Sequence, residues 1–197
     1  DTYYGGVQAP KTDVAKAKEL LEADGYKLNA NGIYEKDGKP LTIVLSCYAK
    51  RSIDTMAILM QEQLKAIGID AQIGLEEDPD GTYMSTKDFQ IGFYVSITDK
   101  AGEPFTFLNM IETGKYIDVC GFGNEETDAL IEELRYETDE TKQKELADQI
   151  MTNFYASNDY LMIGQYNKSS VLRAGATGLG ETSPLQFYGI DANTNIN

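Results

Sequence analysis

Residues 41–75 read LTIVLSCYAKRSIDTMAILMQEQLKAIGIDAQIGL. Leu41 to Tyr48 is a near-continuous apolar run rich in β-branched residues, which predicts a strand covered on both faces. From Ile53 onward the apolar residues fall at Ile53, Met56, Ala57, Met60, Leu64 and Ile67. Steps of three and four residues keep side chains on one face of a helix, so this stretch predicts an amphipathic helix, with Ser52 placed to cap it. Gly68 is placed to stop it. Ile69 to Leu75 then alternates apolar and polar, the pattern of a half-buried strand. Strand, helix, glycine, strand is a βαβ unit, whose crossover favours two parallel strands.

Upstream, Asp13 to Ala23 carries Val14, Ala17, Leu20 and Leu21 on one face, with Thr12 or Asp13 to cap the helix and Gly25 to end it. Asn31-Gly32 and Asp37-Gly38 are turn dipeptides around Ile33-Tyr34-Glu35 and predict a short hairpin. Downstream, EEDPDGTYMSTKD is a polar connection with at most one helical turn, and Phe89 to Ile97 predicts a third strand. Phe105 to Glu112 predicts a short helix, and Thr113 to Asn124 a glycine-rich loop. Glu125 to Arg135 predicts a helix with Ala129, Leu130 and Leu134 inward. A longer helix starts at Asp139 or Thr141 and reaches about Tyr155, burying Leu146, Ala147, Ile150, Met151 and Phe154. Tyr160 to Gln165 and Ser169 to Leu172 are strand-like. From Gly175 to Asn197 the chain is irregular, with one short strand near Leu185 to Tyr188. The fold class is therefore α/β, helices on a mixed sheet, with residues 1–197 forming a single lobe.

The chain has 197 residues, 42% of them hydrophobic, enough for a sizeable core. Its net charge of −15 disfavours phosphate backbones and anionic lipid, so no nucleic acid is expected as a partner. No run approaches the roughly 18 apolar residues of a membrane span, so no direct membrane insertion is expected. The N-terminal DTYYGGVQAP shows no secretory signal. There is no histidine, which removes the commonest neutral-pH acid–base group and metal ligand. A phosphate-binding GxxxxGK[ST] loop and a GxSxG elbow are also missing. Asp78, Asp80 and Gly81 lack the spacing of an EF-hand calcium loop. No catalytic residue, metal ligand or cofactor is expected. The two cysteines, Cys47 and Cys120, are expected to be unpaired thiols, Cys47 packed as a small hydrophobe.

What remains is a loop. Residues 97–110 read ITDKAGEPFTFLNM. In open α/β sheets ligands collect beyond the carboxyl ends of strands, and Asp99 lies two residues past a strand ending at Ile97. Gly102 and Pro104 shape the turn. Phe105, Phe107 and Leu108 can anchor its far side in a core. Ile97, Thr98, Asp99, Lys100 and Ala101 are thus the candidate ligand-binding residues, preorganised by a loop held at both ends. An aspartate that only caps the turn is the alternative.

The order of segments resembles the C-terminal lobe of the solute-binding proteins of the peptide/nickel ABC-transporter class. The matching stretches are DVAKAKELLEADGY, NGIYEKDGKPLTIVL, IDTMAILMQEQLKAIGIDAQI, DFQIGFYVS, EPFTFLNM, GFGNEETDALIEEL and ETDETKQKELADQIM. The resemblance implies one lobe of a two-lobed, hinged periplasmic-binding-protein-like fold. The N-terminal lobe and a signal or lipobox sequence would lie upstream. It also implies a non-enzymatic role as the substrate-binding component of an importer. The implied ligand is a di- or oligopeptide or a nickel chelate. The implied partners are the chain's own N-terminal lobe and an ABC permease in the membrane. The implied location is extracytoplasmic, periplasmic or as a cell-surface lipoprotein. In peptide-binding relatives an acid before the DP/EP-xxFL anchor receives the ligand's amino terminus, and Asp99 is the nearest match. It sits four residues before Glu103 where that pattern suggests three, and Ile97 stands where a tryptophan is common. The tail RAGATGLGETSPLQFYGI is closer to nickel-type relatives, yet the histidine expected near Lys115-Tyr116 is absent. A ligand-sensing domain of a regulator and an α/β hydrolase are the rival functions.

Overall fold

The structure is a computed structural model that describes residues 7–97, 104–164, 173–178 and 194–196. The chain divides into two compact units, Pro10–Ser96 and a second one comprising Asp1–Ala9 with Ile97–Asn197.

The first unit is built on the βαβ segment. It opens with helix α1, Val14–Ala23, where Asp13 Oδ1 accepts the Lys16 amide at 2.8 Å. Gly25 (φ +91°) ends it, as a residue without Cβ can. Then β1 (Lys27–Leu28), β2 (Tyr34–Lys36) and β3 (Lys39–Pro40) form an antiparallel meander, one strand more than the expected hairpin. The extra strand closes because Asn29 Oδ1 accepts the amides of Asn31 and Ile33, at 2.9 and 3.1 Å, and folds the chain back. The Asp37-Gly38 turn takes positive φ at both residues, the geometry that suits the twist of a tight hairpin.

Strand β4 (Thr42–Tyr48), helix α2 (Ile53–Ala66) and strand β5 (Asp70–Glu76) follow as the spacing predicts, and β4 and β5 are parallel. With β6 (Ile91–Gly92) they form a sheet of order β5-β4-β6. The core gathers Leu45, Cys47 and Ala71 from the sheet with Ile53 and Ala57 from α2, and Met56, Met60 and Leu64 pack against it. Gly68 is required where it stands. Its φ is +95°, and a Cβ there would meet Gly32 O and Leu28 Cδ2 at 3.0 Å. Its own carbonyl accepts the Tyr34 amide at 2.8 Å, which ties the meander to the crossover.

Three expectations in this unit are corrected. Ser52 does not cap α2: it sits in left-handed backbone (φ +57°) and its side chain makes no capping bond, because a cap needs extended backbone to reach the first turn. β4 is not covered on both faces, since Val44 is 38% exposed; its lateral neighbour on β5 is Gln72, and its amide is taken by Gln90 Oε1 at 2.7 Å. The third strand is only two residues long. Phe93 still donates its amide to Ser46 at 2.8 Å, but its carbonyl accepts the Tyr83 hydroxyl and no further pairing with β4 follows.

The second unit is helical. Helix α3 (Phe105–Leu108) runs into a short 3-10 turn, Asn109–Ile111. Helices α4 (Glu125–Tyr136) and α5 (Glu140–Ser157) are capped by Asn124 and Asp139, whose side-chain oxygens accept the Thr127 and Lys142 amides at 3.0 Å. All five apolar residues expected inward on α5 are buried. On α4 the expected face is rotated. Ala129 is exposed and Leu130 half-buried, while Thr127, Ile131 and Leu134 are buried. A threonine facing the core shifts the stripe by one position. Tyr160–Gly164 is not a strand; the Tyr160 ring is held by its neighbours, and Leu161 and Ile163 stay exposed. Residues 176–177 and 195–196 form a two-stranded ladder, β7 and β8. The expected strands at Ser169 to Leu172 and Leu185 to Tyr188 lie outside the described residues.

Candidate functional site

Of the five candidate ligand-binding residues, Ile97 is described; it is exposed and outside regular secondary structure. Thr98, Asp99, Lys100 and Ala101 lie outside the described residues. The structure does show what holds the chain on either side of them.

On the upstream side the chain leaves β6 at the carboxyl end of a parallel sheet. A single irregular helical turn, Asp80–Met84, lies beside that exit, with Thr82 out of helical geometry (φ −110°, ψ −108°). The Tyr83 hydroxyl donates to Phe93 O at 2.5 Å, and the Tyr94 hydroxyl donates to Asp80 Oδ1 at 2.7 Å. The Tyr83 ring packs edge-on against Phe89. Gly92 leaves room for both rings, since a Cβ there would stand 3.2 Å from each. Burial raises the Tyr83 pKa well above the ordinary tyrosine value, with lesser contributions from Tyr48, Cys47, Asp80 and Glu76. Its hydroxyl is therefore a proton donor across the physiological range.

Downstream, the expected anchor is present. Pro104, Phe107, Leu108 and Ile111 are buried, and Phe107 meets Phe154 of α5 edge-on at 6.4 Å. Phe105 is half-buried beneath the Arg135 guanidinium, 4.8 Å from its ring centre. Arg135 also bonds Glu132 at 2.7 Å, Asn109 at 3.2 Å and Glu112 at 3.3 Å, which braces α3 against α4.

The loop Thr113–Asn124 contains a feature the sequence pattern did not reveal. Asp118, 4% exposed, accepts the amides of Gly114 at 2.9 Å and Gly123 at 3.0 Å. Gly123 is required there, because a Cβ would stand 2.5 Å from Thr113. The Tyr160 hydroxyl donates to Ile117 O at 2.5 Å and accepts the Cys120 amide at 3.5 Å. Its ring stacks on Phe154 at 4.7 Å, and burial raises its pKa above the ordinary value. The only hint in the sequence is a lone acid between two glycine-bearing turns. Where a histidine was sought, Lys115 and Tyr116 are both exposed.

Cys47 is buried and Cys120 exposed, and the two are not joined in a disulfide. Burial, with Asp54 nearby, raises the Cys47 pKa, so it stays a protonated thiol packed as a hydrophobe. Among the described residues no cluster of three or more acids or cysteines could hold a metal ion, and no helix is long and apolar enough to cross a membrane. Each flank is held within its own unit, the upstream one by tyrosine hydroxyl bonds and the downstream one by apolar packing.

The sequence profile of the bacterial extracellular solute-binding proteins, family 5, matches residues 1–118. The chain belongs to that family. Among curated proteins it is similar to the oligopeptide-binding protein AppA of Bacillus subtilis, 34% identical over 79 residues, 38% of this chain and 14% of AppA. Among solved structures it is similar to NikA from Brucella suis in complex with Fe(III)-EDTA, with a TM-score of 0.64 and 27% identity over 77% of this chain and 32% of that one. NikA from Staphylococcus aureus, solved with Ni(L-His)2, shares the fold with a TM-score of 0.71, at 20% identity, over 99% of this chain and 40% of that chain. The chain thus spans roughly a third of the length of the solved structures it matches.

Proposed function

We propose that residues 1–197 are one α/β lobe of a longer substrate-binding protein serving an ABC importer, with di- or oligopeptides or nickel chelates as ligand. The ligand meets the lobe at Ile97, Thr98, Asp99, Lys100 and Ala101, where Asp99 receives a cationic group such as a peptide amino terminus. The full-length protein works outside the cytoplasm, periplasmic or tethered as a lipoprotein, closes with its N-terminal lobe on the ligand, and delivers it to a membrane permease. The single observation that carries this is the family membership. The residues just before and just after that segment are held by hydrogen bonds and apolar packing, which supports the reading, since ordering a chain beforehand lowers the entropy lost on binding.

The test is thermal unfolding of the full-length protein with dipeptides, oligopeptides, and nickel with and without L-histidine. A ligand that binds only the folded state raises Tm by mass action. A rise with one of these sets identifies the ligand class; no rise with any refutes the assignment of substrate. In the full-length protein, Asp99→Ala is expected to weaken binding at least about tenfold, the scale of a lost charge-assisted hydrogen bond, with little change in ligand-free Tm. Normal binding by that variant would remove Asp99 from the site.

A further inference from the structure

We propose that Asn31 is a site of spontaneous deamidation, where the Asn31-Gly32 turn of the meander converts itself to aspartate and isoaspartate. Asn31-Gly32 is the only Asn-Gly dipeptide of the sequence, and both residues are exposed. The nucleophile is the Gly32 amide nitrogen, and the electrophile is Cγ of the neighbouring Asn31 side chain. The attack is therefore intramolecular and closes a succinimide ring. The amide gives up its proton, the N–Cγ bond forms and the Cγ–Nδ2 bond breaks, and Nδ2 takes up a proton and leaves as ammonia. Water then opens the cyclic imide. Opening at Cγ gives aspartate. Opening at the main-chain carbonyl gives isoaspartate, whose backbone runs through Cγ and is lengthened by a methylene. Gly32 offers no obstruction, since beyond its chain neighbours nothing lies within 4 Å of where its Cβ would stand.

The turn sets the pace. The Gly32 amide donates to Asn29 O at 2.9 Å, and Asn29 Oδ1 accepts the amides of Asn31 and Ile33 at 2.9 and 3.1 Å. The nucleophile stays engaged until the turn opens locally, which exposed backbone bonds allow. Asn29 is the internal contrast. It is half-buried, its side-chain amide donates to Glu35 Oε2 at 3.0 Å, and the next residue, Ala30, carries a Cβ beside the attacking nitrogen. The product bears on the fold. The Gly32 carbonyl oxygen stands 3.0 Å from where a Gly68 Cβ would be, and the Gly68 carbonyl accepts the Tyr34 amide at 2.8 Å. A lengthened backbone at residues 31–32 shifts Gly32 against Gly68 and loosens the tie between the meander and the βαβ crossover.

The experiment ages the full-length protein at mildly alkaline pH and follows deamidation at each asparagine by peptide mass mapping, with fragmentation that tells isoaspartate from aspartate. Asn31 is expected to react at least about tenfold faster than Asn29, the margin that a following glycine and an unencumbered side chain give an intramolecular attack. Asn29→Ala removes two of the bonds that hold the turn shut and is expected to raise the rate at Asn31 at least about threefold. The isoaspartate-bearing fraction, separated by anion exchange, is expected to show the Tyr34 amide exchanging at least about fivefold faster than before ageing. Asn31→Asp adds the charge without lengthening the backbone, and its Tyr34 amide is expected to exchange as in the unaltered protein. A rate at Asn31 no higher than at Asn29 overturns the proposal. An unchanged rate in Asn29→Ala overturns the control by the turn, and unchanged Tyr34 exchange in the isoaspartate fraction overturns the effect on the fold.

Discussion

The two flanks of the candidate ligand segment are held by opposite kinds of interaction. Downstream, Pro104, Phe107 and Leu108 are buried and Phe107 meets Phe154 of α5, an apolar anchor whose strength scales with area. Upstream, β6 stops after two residues and the chain is held by hydroxyl bonds from Tyr83 and Tyr94. The apolar side supplies stability and tolerates some sliding of its side chains. The polar side supplies direction, because a hydrogen bond weakens steeply once its angle is lost.

The largest expected effect tests the apolar side. Phe154 is 2% exposed and touches Phe107, Phe122 and Tyr160, so it joins the anchor to the Asp118 loop. Phe154→Ala should destabilise the helical unit by about 3–5 kcal/mol, the range for removing a buried aromatic. Denaturant unfolding of the full-length protein, followed by a probe in that unit, measures it. A loss below about 1 kcal/mol would mean that the aromatic cluster is not what holds the anchor.

A smaller effect is expected from the polar knot next to it. Asp118→Asn keeps the shape but replaces one acceptor with a donor facing an amide of Gly114 or Gly123. The expected cost is about 1–3 kcal/mol, that of leaving a buried donor unmet. It should come with faster amide exchange confined to Thr113–Asn124. If exchange rises equally across α5, the loop is not an independent knot and the contrast between polar direction and apolar strength fails there.

The same contrast explains what could be read in advance. The βαβ unit, the anchor and the inward face of α5 were legible because burial repeats at the helical or strand period, and periodicity survives in a string of letters. Ala129 was misplaced because Thr127, a polar letter, is fully buried and turns α4 by one position. The third strand was overextended because QIGFYVS has the composition of a strand, while the event that ends it is a hydroxyl from ten residues upstream taking one carbonyl. Asp118 and Tyr160, 42 positions apart, hold one loop together without a periodic signal. Polar contacts of this kind depend on where a single atom lies, which composition and spacing do not encode.

The smallest expected effect concerns charge at the junction of α4 and α5. Glu137 accepts the amides of Thr138 at 2.7 Å and Asp139 at 2.9 Å and pairs with Lys142 at 3.4 Å. The amide of Asp139, then that of Thr138, favour the ionised carboxylate and hold its pKa below the ordinary glutamate value, with Lys142 adding to the effect. A carboxyl depressed in the folded state binds its proton more readily when unfolded. Its contribution to stability is therefore complete above the unfolded value near 4.3 and is lost as pH falls through the lower folded value. Denaturant unfolding of the full-length protein and of Glu137→Gln should differ modestly at pH 7, and the difference should shrink as pH falls below about 4. Gln keeps an oxygen for one amide, so what disappears is the charge-assisted part of the hold. A difference that stays constant down to pH 3 would show that shape, not charge, fixes this junction. Polar direction would then work here without ionisation, as it does at Tyr83, where burial keeps the hydroxyl neutral.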